Sequence, residues 1–200
     1  SGDSSAALGS FLDQNGNYGI CVGYQCINDG LAGFAGGYTD TDTSKKVHVR
    51  SKGGFAYGSG NQIGTAALNS VAFGKQSKIG MEDDYSNSNH DADQAFVAGY
   101  NNTVWGHNAV AFGSDNEVQG NENGGAFGRN NLVGGVGTAD DANTSHFAIG
   151  ANLSTPYYGS GGTNTAQQEG CVVVGRWNKF ENSSDSNNVS LFNVGTGTGP

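Results

Sequence analysis

The sequence predicts an all-β repeat protein, a β-solenoid, and three observations lead there. A four-residue phrase of apolar, small, apolar and glycine residues keeps returning, as in Val71-Ala72-Phe73-Gly74, Val110-Ala111-Phe112-Gly113 and Phe147-Ala148-Ile149-Gly150. Glycine reaches 35 of 200 residues without the every-third spacing of a collagen, so the glycines serve turns. Proline is confined to Pro156 and Pro200, which leaves backbone ladders free to run through most of the chain. No stretch carries a sustained helical period.

Anchored on its last glycine, the phrase recurs at Gly23, Gly36, Gly58, Gly74, Gly99, Gly113, Gly128, Gly150, Gly175 and Gly195. The mean period is roughly 19 residues, within the range of stacked arrays. The shortest intervals (Gly23 to Gly36, Gly99 to Gly113, Gly113 to Gly128) give the bare coil, and the longer ones hold inserted loops. In each packet the residues three and one before the glycine share a strand face, as Ile20 and Val22, Phe55 and Tyr57, Val71 and Phe73, and Val172 and Val174 do. Between them stand Cys21, Phe34, Ala56, Ala72, Val97, Ala111, Ala126, Ala148, Val173 and Asn193, a mostly small and apolar set. A strand apolar on both faces is expected to be buried on both. One narrow coil covers a single face, so the other calls for a second copy of the chain. The sequence leaves open which face meets that copy.

Past the glycine, asparagine recurs three residues on and an apolar residue five on: Asn61 with Ile63, Asn102 with Val104, Asn116 with Val118, Asn131 with Val133, and Asn178 with Phe180, Ser77 with Ile79 being a variant. Asparagine tolerates left-handed backbone and bonds its own main chain. Stacked at equivalent corners, such side chains can also pair along the array. Each unit therefore reads as strand, Asn corner, short strand and Gly turn.

The Ala-Val-Ala-Phe-Gly phrase at 109–113, with the Asn-x-Val-x-Gly segment after it, resembles the head repeats of trimeric autotransporter adhesins of the YadA type. The resemblance runs from about residue 19 to 195 and is strongest between Gly53 and Gly134. It implies a left-handed parallel β-roll or β-helix and a side-by-side homotrimer, in keeping with the two-faced strands. The chain departs from that family's near-uniform repeat by its inserts. Val172-Val173-Val174-Gly175-Arg176-Trp177-Asn178 and Leu191 to Gly197 resemble what precedes a C-terminal chaperone in phage and prophage tail-fibre proteins. That resemblance implies an ordered product ending near Pro200. The 200 residues are read as one elongated head domain, a fragment or processed domain whose anchor is expected elsewhere.

Inserts are expected near residues 39–52, 81–93, 138–145, 154–170 and 181–188, all rich in Ser, Asn, Asp and Thr. Loops on a rigid scaffold are the usual place for recognition. Flat polar surfaces suit glycans where aromatic rings offer a stacking face, so Tyr157, Tyr158, Trp177, Trp105 and Tyr100 are the candidate contacts. Glu82-Asp83-Asp84 and His90-Asp91-Ala92-Asp93 fit neither an EF-hand nor a calcium nonapeptide repeat, and no metal or cofactor is expected. Eighteen acidic against nine basic residues, a net charge of −9, argue against nucleic acid or an anionic membrane as target. No apolar run is long enough to insert in a membrane as a helix.

No nucleophile elbow, phosphate-binding loop or zinc-protease motif occurs, so no catalytic residue is expected. His107 and His146 stand just before strands and are read as surface or turn residues. The three cysteines form neither a disulfide framework nor a zinc pattern; Cys21 and Cys171 read as buried small hydrophobes. The function expected is that of a trimeric, surface-exposed binding head without chemistry of its own. A virion tail fibre recognising a cell-surface glycan or protein stands first and a bacterial adhesin head second, with a glycan-degrading tail spike behind both.

Overall fold

The computed structural model describes residues 2–39, 46–80, 92–119, 123–134, 146–155, 171–176 and 192–196. These residues form strands and turns. In chain order the strands are β1 (Ala6–Ser10), β2 (Asp13–Gln14), β3 (Ile20–Tyr24), β4 (Cys26–Asn28), β5 (Phe34–Tyr38), β6 (Val47–Val49), β7 (Phe55–Ser59), β8 (Gln62–Ile63), β9 (Val71–Lys75) and β10 (Lys78–Ile79). They continue as β11 (Phe96–Tyr100), β12 (Thr103–Val104), β13 (Val110–Ser114), β14 (Glu117–Val118), β15 (Gly125–Arg129), β16 (Leu132–Val133), β17 (His146–Ala151), β18 (Cys171–Arg176) and β19 (Phe192–Thr196).

Through β17 the odd-numbered strands stack in sequence order, and with β18 and β19 they make an eleven-stranded sheet; the even-numbered strands from β2 to β16 make an eight-stranded one. Every pairing is parallel, one coil against the next. From β1 to β16 each coil thus lays one long strand in the first sheet and one short strand in the second. A solenoid follows.

The core is the slot between the sheets. From the long sheet it receives the residue two before each glycine: Cys21, Ala35, Ala56, Ala72, Val97, Ala111, Ala126, Ala148 and Val173, all fully buried. From the short sheet it receives Val49, Ile63, Ile79, Val104, Val118 and Val133. Small residues on one wall against branched ones on the other set a slot one side chain deep. At the first two coils the branched residue is replaced by Gln14 and Asn28, whose amides bond each other at 3.0 Å. Asn28 also donates to Gly33 O at 2.8 Å.

The pairing corrects the sequence register at two places. Gly37, not Gly36, pairs with Gly23 and Gly58, so Ala35 and not Phe34 is the interior residue of that coil. The array also opens one coil before Gly23, with Gly9 opposite it. Of the insert expected at 39–52, residues 47–49 are instead a regular member of the short sheet, pairing with β4 and β8.

The glycine column is a steric requirement. From Gly9 to Gly175 its members have φ between 109° and 143°, where L side chains are strained. A methyl group on Gly113 would collide with the carbonyl oxygen of Gly128, and the same holds from coil to coil.

The corner that follows differs from its sequence reading. The left-handed residue lies two after the glycine, as Phe11, Gln25, Gly60, Gln76, Asn101, Asp115, Asn130 and Asn152, with φ of 51° to 68°. The asparagine three after it is buried and faces inward. There it pairs along the array: Asn116 Nδ2 donates to Asn102 Oδ1 and Asn131 Nδ2 to Asn116 Oδ1, each at 3.0 Å. Each Oδ1 also accepts the backbone N–H of the equivalent residue one coil on, at 3.1 Å in both cases. Every one of these amides is thereby satisfied inside the core.

Candidate functional site

The outer face of the long sheet carries the largest described array of apolar side chains open to solvent. Its residues stand three and one before the glycine, opposite in direction to the buried alanines. Their rings touch from coil to coil: Phe34 stacks on Phe55 at 4.4 Å between centroids, and contacts continue through Phe73, Phe96, Phe112 and Phe127 at 5.2 to 6.0 Å. Where glycine takes an apolar place in this face, at Gly36 and Gly125, the ring of Phe34 or Phe147 lies in the space a side chain would fill. The face stays open nonetheless: Tyr57 is 51% exposed, Ile149 47%, Phe112 39% and Phe73 38%. It is one of the two apolar strand faces between which the sequence reading leaves the cover open.

Of the five residues singled out for glycan stacking, Tyr157, Tyr158 and Trp177 lie outside the described residues. Tyr100 ends β11 and is 46% exposed. Trp105 follows β12, is half-buried, and its backbone N–H donates to Val118 O at 2.9 Å. The two therefore stand at the ends of strands in different sheets, on either side of the Asn101-Asn102 corner.

An aromatic group that the sequence reading passed over stands at the corners of the first three coils. Tyr24 and Tyr38 occupy the place after the glycine in successive coils and stack at 5.7 Å with an interplanar angle of 28°. Phe11 meets Tyr24 edge-on at 5.5 Å and 80°. Phe11 is 77% exposed and Tyr38 58%. The signal available in sequence was the repetition of Gly-Tyr at 23–24 and 37–38, hidden by the Gly36 register.

On the outer face of the short sheet, His48 Nε2 lies 2.7 Å from Asp29 Oδ2, and Asn15 Nδ2 donates to Asp29 Oδ1 at 2.8 Å. Partial burial opposes ionisation of Asp29, but the hydrogen bonds from Asn15 and His48 and the charges of His48 and Arg50 outweigh it and hold the carboxyl below its ordinary value. Among the described residues no group of three or more His, Cys, Asp or Glu side chains is placed to hold a metal ion. The acidic motifs at 82–84 and 90–91 lie outside them, while Asp93 Oδ1 accepts a hydrogen bond from Leu68 N at 2.6 Å.

His146 corrects its sequence reading. It begins β17 with 1% exposure, in a column that the coils before it fill with small residues, among them Gly33, Gly54, Ser70, Ala95, Ala109 and Gly124. Burial pushes its pKa down to about 4, and Nδ1 has no hydrogen-bond partner among the described residues. Cys21 and Cys26 are free, buried thiols; burial first, then the neighbouring Cys26, pushes Cys21 up to about 12. No protein-family model matches the chain, and no curated protein matches it.

Proposed function

We propose that the chain is the head of a homotrimer that binds a cell surface, three left-handed coils packing side by side through the outer faces of their long sheets. The observation that carries this reading is the open aromatic face itself. Covering the exposed part of a ring such as Phe73 or Phe112 contributes about 2 kcal/mol at ~25 cal/mol per Å², and the face repeats that gain coil after coil. A second copy of the chain offers the same face, which is how closed symmetric assemblies are built.

Within this reading a phage or prophage tail fibre stands first, because its resemblance covers the Val172 to Asn178 and Leu191 to Gly197 segments. A bacterial trimeric adhesin head is the second reading. A glycan-degrading tail spike, which would need a carboxylate pair set across a sugar bond, stands behind both. The receptor is a cell-surface glycan or protein, and the place of action is outside the cell.

The test is solution mass by light scattering, with and without Phe73→Glu combined with Phe112→Glu. A trimer of three times the 20.4 kDa chain that falls to monomer in the double variant supports the reading. A folded monomer of the unaltered chain overturns it.

A further inference from the structure

We infer that the corner formed by Phe11, Tyr24 and Tyr38 is a carbohydrate subsite, taking the apolar face of a neutral sugar ring. The inference rests on the surface-binding reading above and deepens it by naming where and what the head binds.

Nothing in the coil requires these aromatic rings. The corner position two after the glycine is left-handed in coil after coil and is elsewhere filled by residues suited to it, among them Asn101, Asp115, Asn130 and Asn152. Phe11 occupies it at φ 55°, a strained conformation for a bulky side chain, and gains no burial there, being 77% exposed. Likewise, the place after the glycine is held by Ser59, Lys75 and Ser114 in other coils, and by a lone ring at Tyr100, which no second ring in that column adjoins. Tyr38 stands there 58% exposed, with one face against Tyr24. Strain and exposure together, in rings that pack on one another while Phe11 and Tyr38 stay largely open, point to a binding role.

The chemistry of the group selects the ligand class. Stacked and edge-on rings offer the flat apolar surface that a pyranose face covers. Two phenolic hydroxyls border that surface. An apolar partner would strand those groups, at a cost for each polar group left unpaired; a sugar's hydroxyls meet them. The net charge of −9 disfavours an acidic sugar, so the ring taken is neutral.

The experiment screens the trimeric chain on an array of neutral and sialylated oligosaccharides. The strongest neutral hit is then titrated by calorimetry against Phe11→Asn, Tyr38→Ser, Trp105→Ala and Tyr100→Ala. The two corner substitutions install residues that the array already uses at those places, so folding is preserved, and thermal melting checks it. The expected result is about tenfold weaker binding for each corner variant, with Trp105→Ala and Tyr100→Ala unchanged. Binding lost through Trp105 or Tyr100 and not through the corner overturns the assignment while leaving the surface-binding head in place. So does a trimer that retains no neutral oligosaccharide, which then points to a protein receptor. A monomer that still binds sugar through Phe11 and Tyr38 keeps the corner and removes the trimer.

Discussion

Cys26 does with a thiol what Asn61 does with an amide. Asn61 Nδ2 donates to the carbonyl four residues back, Tyr57 O at 2.8 Å, and to the next coil's glycine, Gly74 O at 2.9 Å. Cys26 Sγ lies 3.5 Å from Val22 O, four residues back, and 3.6 Å from Gly37 O, the next coil's glycine, the equivalent two partners. The corner thus asks for a small donor pointing inward. A thiol donates more weakly than an amide, so Cys26→Asn is expected to stabilise the chain by about 1 kcal/mol. Urea unfolding of the two proteins measures it; a loss of stability would mean the second coil is too tight for the amide.

The Asn ladder makes the opposite demand on its centre. Asn116 donates to Asn102 Oδ1, Phe112 O and Gly128 O, and accepts from the backbone and side chain of Asn131. Asn116→Leu removes all of these from a dry interior and leaves the partners unpaired. A loss of about 3 kcal/mol is expected. Asn116→Ser should cost less, because Ser77 already serves the ladder by accepting Asn102 N through its Oγ at 3.3 Å. The order Asn above Ser above Leu in denaturation midpoint is the measurement.

Gly113→Ala puts a methyl group against Gly128 O at φ 114°. Neither strand can yield without breaking the ladder on both sides, so the cost is expected to exceed about 3 kcal/mol. Circular dichroism melting would show it. An alanine tolerated there with little change in Tm would contradict the close stacking of the column.

His146 confers an acid sensitivity that the rest of the described core lacks. Its pKa is lowered from 6.5 to about 4 by burial, so the unfolded chain takes up the proton first as pH falls. No penalty acts above pH 6.5; stability declines between 6.5 and about 4, by about 3 kcal/mol in all, and the loss is constant below. His146→Ala, which installs the residue used by Ala95 and Ala109, should remove that slope. Parallel unfolding curves at pH 7.5 and 4.5 decide it: an unchanged slope in the variant would assign the acid loss to other groups.

The repeat was legible because its glycine is set by hard contacts that leave the same residue at every coil, and the residue two before it is apolar and alanine in most of them. Phe34-Ala35-Gly36-Gly37 offered two glycines, and the earlier one placed a phenylalanine inside a slot that holds alanine. Ala35 was the informative residue. The corner pairs Asn101-Asn102 and Asn130-Asn131 set two identical residues side by side in opposite roles, the first left-handed, the second buried in the ladder. Residue type alone cannot separate them, because asparagine suits both. His146 was misjudged for a related reason: its column is small in the coils before it, and nothing local announces that the seventeenth strand begins with a ring inside. The aromatic corner escaped because only the correct register places Tyr24 and Tyr38 one above the other.

The glycine-to-glycine stacking makes the molecule a ruler. Eleven long strands in one parallel sheet advance by about 4.8 Å apiece, so the described array spans roughly 50 Å. Height along it is counted in coils and is indifferent to sequence length: the 14 residues from Gly23 to Gly37 and the 25 from Gly74 to Gly99 each raise the chain by one step. Inserted residues change what a coil displays without moving any other coil nearer to, or farther from, whatever the end of the rod meets.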